Sequence, residues 1–82
     1  MSTLQREILL AVPRTSAWTR AGSIAGAVGK APGAVGMSLQ ALVHQGLLEE
    51  SWITEKGNRA RRYRLTPEGR AARDVAKKAG NA

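Results

Sequence analysis

Eighty-two residues make one small domain, and at this size only about 60–65% of the unfolded surface can be buried, so the core is marginal. The chain has no Cys, which excludes disulfides, thiolate metal sites and a catalytic thiol, and no apolar run approaches the ~20 residues of a membrane span. The formal charge of +7 is lopsided, with four basic and three acidic side chains in residues 1–52 but nine and three in residues 53–82, a balance that favours a polyanionic partner.

Ser2 is placed to cap a first helix, with Gln5 as the reciprocal partner of a capping box. Leu4, Ile8, Ala11 and Val12 repeat at helical spacing with Leu9 flanking the stripe, and Pro13 ends the helix. Ala17–Thr19 is short enough only for an edge strand. Thr19 is a good N-cap for a second helix over 20–29, whose narrow face is Ile24, Ala25 and Val28. Three glycines weaken that helix by about 1 kcal/mol each relative to Ala. Packing must hold it; the glycines permit close backbone approach to a neighbouring helix or to a ligand, and packing is the expected reason.

The stretch that organises the chain is KAPGAVGMSLQALVHQGLL, Lys30–Leu48. Pro32 suits the first turn of a helix over 32–45. Val35, Leu39, Leu42 and Val43 fall on one apolar stripe, and Gly33, Gly36, Met37, Gln40 and His44 on the opposite side. Gly46 stops the helix. Leu47–Glu55 then alternates, Lys56–Gly57–Asn58 carries turn chemistry, and Arg59–Thr66 returns as a strand. In that strand Tyr63 and Leu65 share the core face, and Arg62 and Arg64 point away. Thr66–Pro67–Glu68 starts a last, strongly basic helix to about Ala79, with a thin stripe of Ala72, Val75, Ala76 and Ala79; Gly80–Ala82 should fray.

Helical spacing thus gives way to alternation at Gly46 and returns at Thr66. The fold class is therefore α+β, one domain over 1–82: helix, short strand, helix, helix, β-hairpin, helix. With no Phe, the expected core is aliphatic apart from one tyrosine: Leu4, Ile8, Ile24, Val28, Val35, Leu39, Leu42, Leu48, Tyr63 and Leu65.

Catalysis finds no support. His44 is the single histidine and has no acid or thiol at ligand spacing. Glu49 and Glu50 are adjacent in a strand and point to opposite faces. The glycines of GSIAGAVGKAPG lack the Gly-Lys-Ser/Thr ending of a phosphate loop. The chain is expected to be no enzyme, with no metal or cofactor and no small-molecule ligand evident.

In this order the residues resemble a minimal winged helix-turn-helix of the MarR and PadR regulator kind. The resemblance rests on SIAGAVGKAPGAVGMSLQALVHQGLLEE for the helix-turn-helix and on GNRARRYRLTPEGRAA for the wing and the next helix, and it covers about residues 4–76. It implies a DNA-binding transcriptional regulator, cytoplasmic and associated with the nucleoid, with helix 32–45 in the major groove and the basic wing 54–62 on the backbone or minor groove. Gln40 is the expected base reader, since a Gln amide can grip adenine with two hydrogen bonds, and Met37 can meet a thymine methyl. Gly33 and Gly36 let the helix lie close, and His44 completes the face. Thr19, Arg20 and Lys30 are expected at phosphates, and Lys56, Asn58, Arg59, Arg61 and Arg62 on the wing. Two rival readings are an architectural DNA binder with little sequence preference and a winged-helix protein-interaction module. Those regulators build dimers from longer helical extensions. The alanine-rich last helix here implies a homodimer that is weak or assembled on DNA, with Leu9 or Leu10 on the first helix as the other surface.

Overall fold

The computed structural model describes residues 1–80. In chain order it contains α1 (Thr3–Ala11), β1 (Thr19–Arg20), α2 (Ala21–Ala27), α3 (Pro32–His44), β2 (Leu48–Glu55), β3 (Asn58–Leu65) and α4 (Pro67–Gly80). The α+β class and the element order are as expected. Gly80 closes α4, and the fraying expected of 81–82 lies outside the described residues. No helix among those residues is long and apolar enough to cross a membrane.

The sheet is antiparallel in the order β1-β3-β2. Leu48 stands opposite Leu65, Glu50 opposite Tyr63 and Trp52 opposite Arg61. The hairpin turns on Lys56 (φ 50°) and Gly57 (φ 80°), the two-residue left-handed turn whose twist matches that of the strands. Asn58 is the first residue of β3, not part of the turn.

Ser2 caps α1 through its hydroxyl, which accepts from the Gln5 amide at 3.1 Å. The reciprocal half of the capping box does not form, because the Gln5 side chain instead accepts from Gln45 Nε2 at 3.5 Å, linking α1 to the end of α3. Thr19 does not cap α2. It pairs with Tyr63 in β1, and Arg20 pairs with Arg62. Arg20 takes the N-cap position with no side-chain cap bond. Pairing with β3 carries the strand through Arg20, so α2 starts at Ala21 and Thr19 lies one residue too early to cap it.

Ile8, Leu9, Val12, Ile24, Ala25, Val35, Leu39, Leu42, Leu48, Tyr63 and Leu65 form the core, with Leu4 and Val28 partly buried against it. Leu9 is fully buried, not turned outward, because α1 is covered by α4 as well as by α3 and α2, so its apolar stripe is wider than one face. Leu10 is the α1 leucine at the surface. On α4, Ala76 is buried but Val75 is exposed. The glycines of α2 do not serve close packing: a Cβ at Gly22 or Gly26 would meet nothing within 4 Å.

Two junctions tie the end of α3 to the sheet and to α4. Gly46 (φ 75°) ends the helix in a Schellman turn, with its own amide donating to Val43 O and the Leu47 amide to Leu42 O, each at 3.0 Å. Thr66 then joins that turn to α4. Its amide donates to Leu47 O at 3.2 Å, its hydroxyl donates to Gly46 O at 2.6 Å, and the same hydroxyl oxygen accepts from the Gly69 amide at 2.9 Å. Gly69 is required by this junction, since a Cβ there would overlap Leu47 O.

Candidate nucleic-acid interface

The face of α3 turned from the core carries Gly33, Met37 and His44, all exposed, with Met37 at 88% the most exposed large apolar residue described. Gly36 is half-buried, yet a Cβ at Gly33 or Gly36 would meet nothing within 4 Å. Neither glycine is demanded by packing within the fold. At the start of α3, Ala31 offers no side-chain cap, Pro32 has no amide N–H and the Ala34 amide donates to Ala31 O at 2.9 Å, which leaves the Gly33 amide open close to exposed Lys30.

Gln40 shares that stripe by spacing but is not free. It is half-buried, and its Nε2 donates to Glu50 Oε2 at 2.5 Å. The Tyr63 hydroxyl donates to the same oxygen at 2.9 Å. Glu50 lies on the sheet face shared with Leu48 and Tyr63, a half-buried carboxylate that needs donors, and α3 supplies one. The two-bond grip on adenine needs the amide N–H that Glu50 already holds. Burial, and next the bond to Glu50, push the Tyr63 hydroxyl above its usual pKa.

The cations of the wing divide between the two faces of β3. Arg59 and Arg61 stack on Trp52, their guanidinium carbons 4.4 Å and 4.8 Å from its ring centre. Arg62 and Arg64 stack on Trp18 at 4.5 Å and 4.4 Å, on the opposite face. The structure therefore separates Arg62, which is half-buried, from Arg59 and Arg61. Each such contact at an exposed site is worth about 0.5–1 kcal/mol and restricts an otherwise mobile side chain.

Carboxylates remove some of the charge. Arg64 makes a two-pronged ion pair with Glu49, both bonds 3.1 Å, and Arg20 pairs with Glu55. Thr19 is half-buried, its hydroxyl 3.5 Å from Ala17 O. Among the described residues, Lys30, Lys56, Arg59, Arg61 and Arg62 have no carboxylate partner. Exposed Asn58 sits beside the Lys56–Gly57 turn at the hairpin tip.

The sequence reading missed Trp52 and Trp18 as arginine platforms and Glu50 as the anchor of Gln40. The signal for Trp52 was available, because a two-residue turn at Lys56–Gly57 sets the register that puts it opposite Arg61. Glu50 and Gln40 belong to different elements, and spacing along one helix cannot pair them. No group of three potential metal ligands occurs among the described residues.

Three helices, an edge strand, a hairpin and a closing helix in this arrangement are a winged helix-turn-helix. No family model matches the chain, and no curated protein matches it significantly. Solved structures do. Bordetella bronchiseptica BpsR, whose DNA binding is regulated by 6-hydroxynicotinic acid, superposes with a TM-score of 0.82 at 21% identity over 99% of this chain and 60% of that one. The Streptococcus pyogenes adhesin competence repressor AdcR gives 0.77 at 16% over 99% and 58%. A variant of Lactococcus lactis ZitR gives 0.72 at 25% over 99% and 51%. The chain spans between half and 60% of the length of these neighbours, and the MarR-type resemblance read from the sequence fits them.

Proposed function

We propose that this domain binds duplex DNA and acts in transcriptional regulation, with α3 in the major groove and the wing on the backbone or in the minor groove. The observation that carries the proposal is that Lys56, Arg59, Arg61 and Arg62 on one hairpin and Lys30 at the start of α3, none with a carboxylate partner among the described residues, accompany a helix face that packing leaves bare. Lys30 and the Gly33 amide suit a phosphate. Arg59 and Arg61, held on Trp52, suit a narrow, electronegative minor groove. Met37 offers an apolar contact to a thymine methyl. Arg20, paired with Glu55, and Thr19, half-buried, take lesser parts than the sequence suggested. The partner is double-stranded DNA, met by a monomer or by a weak, DNA-assisted homodimer.

One observation favours a second reading, an architectural binder with little sequence preference. The outer face of α3 carries two glycines, a methionine and a histidine, and the Nε2 donor of its amide side chain, Gln40, is held by Glu50. Titration of a labelled random duplex tests the shared core of both readings. Binding that weakens as salt is added is expected, and no binding at low salt overturns both. A footprint that survives excess competitor DNA assigns the regulator; a footprint that vanishes assigns the architectural binder.

A further inference from the structure

The Gln40–Glu50–Tyr63 cluster does more than tie α3 to the sheet. A carboxylate can only accept, so the Gln40 amide must turn its NH₂ toward Glu50 and its oxygen away. The contact is 2.5 Å, and the Tyr63 hydroxyl holds the same carboxylate oxygen at 2.9 Å. Tyr63 is itself 1% exposed, so the anchor is fixed from the core. Among the described residues no group donates to Gln40 Oε1, and that atom is not among the buried polar atoms that lack a partner. The amide oxygen therefore has no donor from the described residues and is not sealed from solvent, on the helix that carries Met37 one turn earlier.

Resting on the DNA-binding reading above, we infer that Glu50 is a positioning residue that makes Gln40 a pure hydrogen-bond acceptor. In the major groove adenine and cytosine present exocyclic amino donors, whereas guanine and thymine present keto oxygens. An acceptor held in one orientation selects an amino base over a keto base at one position. It cannot make the second bond to adenine N7 that a freely turning Gln makes. A freely turning amide accepts either class, so discrimination here comes from the carboxylate behind the reader. Glu50 touches no base.

The test is a selection from randomised duplexes with the intact chain, followed by competition titrations on sites differing at the selected position. The wild type should prefer adenine or cytosine there by about threefold to tenfold, the worth of one net hydrogen bond. Glu50→Gln keeps the shape but lets both amides turn, so it should flatten that preference while leaving the dependence on salt unchanged. Gln40→Met removes the acceptor at similar volume and should flatten it as well, which keeps the test decisive if Glu50→Gln folds poorly. Thermal melts of each variant show whether folding has been kept. A wild type that binds with no amino-over-keto preference, or a folded Glu50→Gln or Gln40→Met protein that retains it, overturns the inference and leaves DNA binding standing. Failure of the wild type to bind any duplex removes both.

Discussion

Gly69 is the residue whose replacement should do the most harm for the fewest atoms. A single methyl there would overlap Leu47 O, backbone that cannot turn aside as a flexible side chain can. Gly69→Ala should destabilise by about 2–3 kcal/mol or more, since overpacking forces the backbone to move, and a urea midpoint unchanged from wild type would contradict the Thr66 junction. Gly33 and Gly36 are the opposite case. With open space at both positions, Ala should stabilise α3 by about 0.5–1 kcal/mol each, yet weaken DNA binding if the helix backbone lies against the groove. Stability and affinity moving in opposite directions would show that those glycines serve the partner; unchanged affinity would show that they do not. Tyr63 gives a test in pH. Its folded pKa lies above the ordinary value of 10.0, so its contribution is complete below that value and is lost as pH rises through the folded pKa. Tyr63→Phe should remove that alkaline loss. Asp74, held below the usual carboxylate range chiefly by its hydrogen bond to Arg14, acts at the other end: its contribution is present above pH 3.8 and lost as pH falls through its lowered value.

At the scale of elements, the hairpin is a basic strand braced by two tryptophans. Trp52→Ala leaves every charge in place but frees Arg59 and Arg61. It should weaken binding to selected and random duplexes alike by up to about fivefold to thirtyfold, the worth of two exposed cation–π contacts, with the melting temperature little changed because Trp52 is 45% exposed. A titration showing unchanged affinity would mean that the platform is incidental. The same scale shows what can be read from the chain. Helices α1, α3 and α4 and the hairpin are set by period and punctuation: Ser2, Pro32, Gly46, the Lys56–Gly57 turn and Thr66–Pro67 each act on their neighbours. The errors are tertiary. Thr19 did not cap α2 because pairing with β3 carries the strand on through Arg20, Leu9 went inside because α4 covers α1, and Gln40 lost its two-bond grip because Glu50 took its N–H. Each depends on a partner in another element, and no one-dimensional period reports such partners. Among site residues the wing cations were legible as a charge run, and strand alternation already turned Arg62 and Arg64 from the Tyr63 face; their seating on Trp52 and Trp18 needed the register.

For the whole molecule, cations without a carboxylate partner among the described residues lie at the wing and the start of α3 and also on α1 and α4, at Arg6, Arg70, Arg73, Lys77 and Lys78. An apolar groove between α1 and α4 is lined by Met1, Arg6, Ala71, Ala72, Val75, Ala76 and Ala79. Its small side chains offer little association energy at about 25 cal/mol per Å², so sedimentation at micromolar concentration without DNA should show mainly monomer, and a fully formed dimer would contradict that. The most direct measurement of the proposed function is the salt dependence of duplex binding by the wild type and by the Arg59→Ala/Arg61→Ala double variant. With Lys30, Lys56, Arg59, Arg61 and Arg62 at phosphates, log K should fall against log salt with a slope of roughly −4 to −5, and the double variant should lower that slope by about 2 in magnitude on every sequence. A slope that the two substitutions leave unchanged would contradict the placement of the wing on DNA.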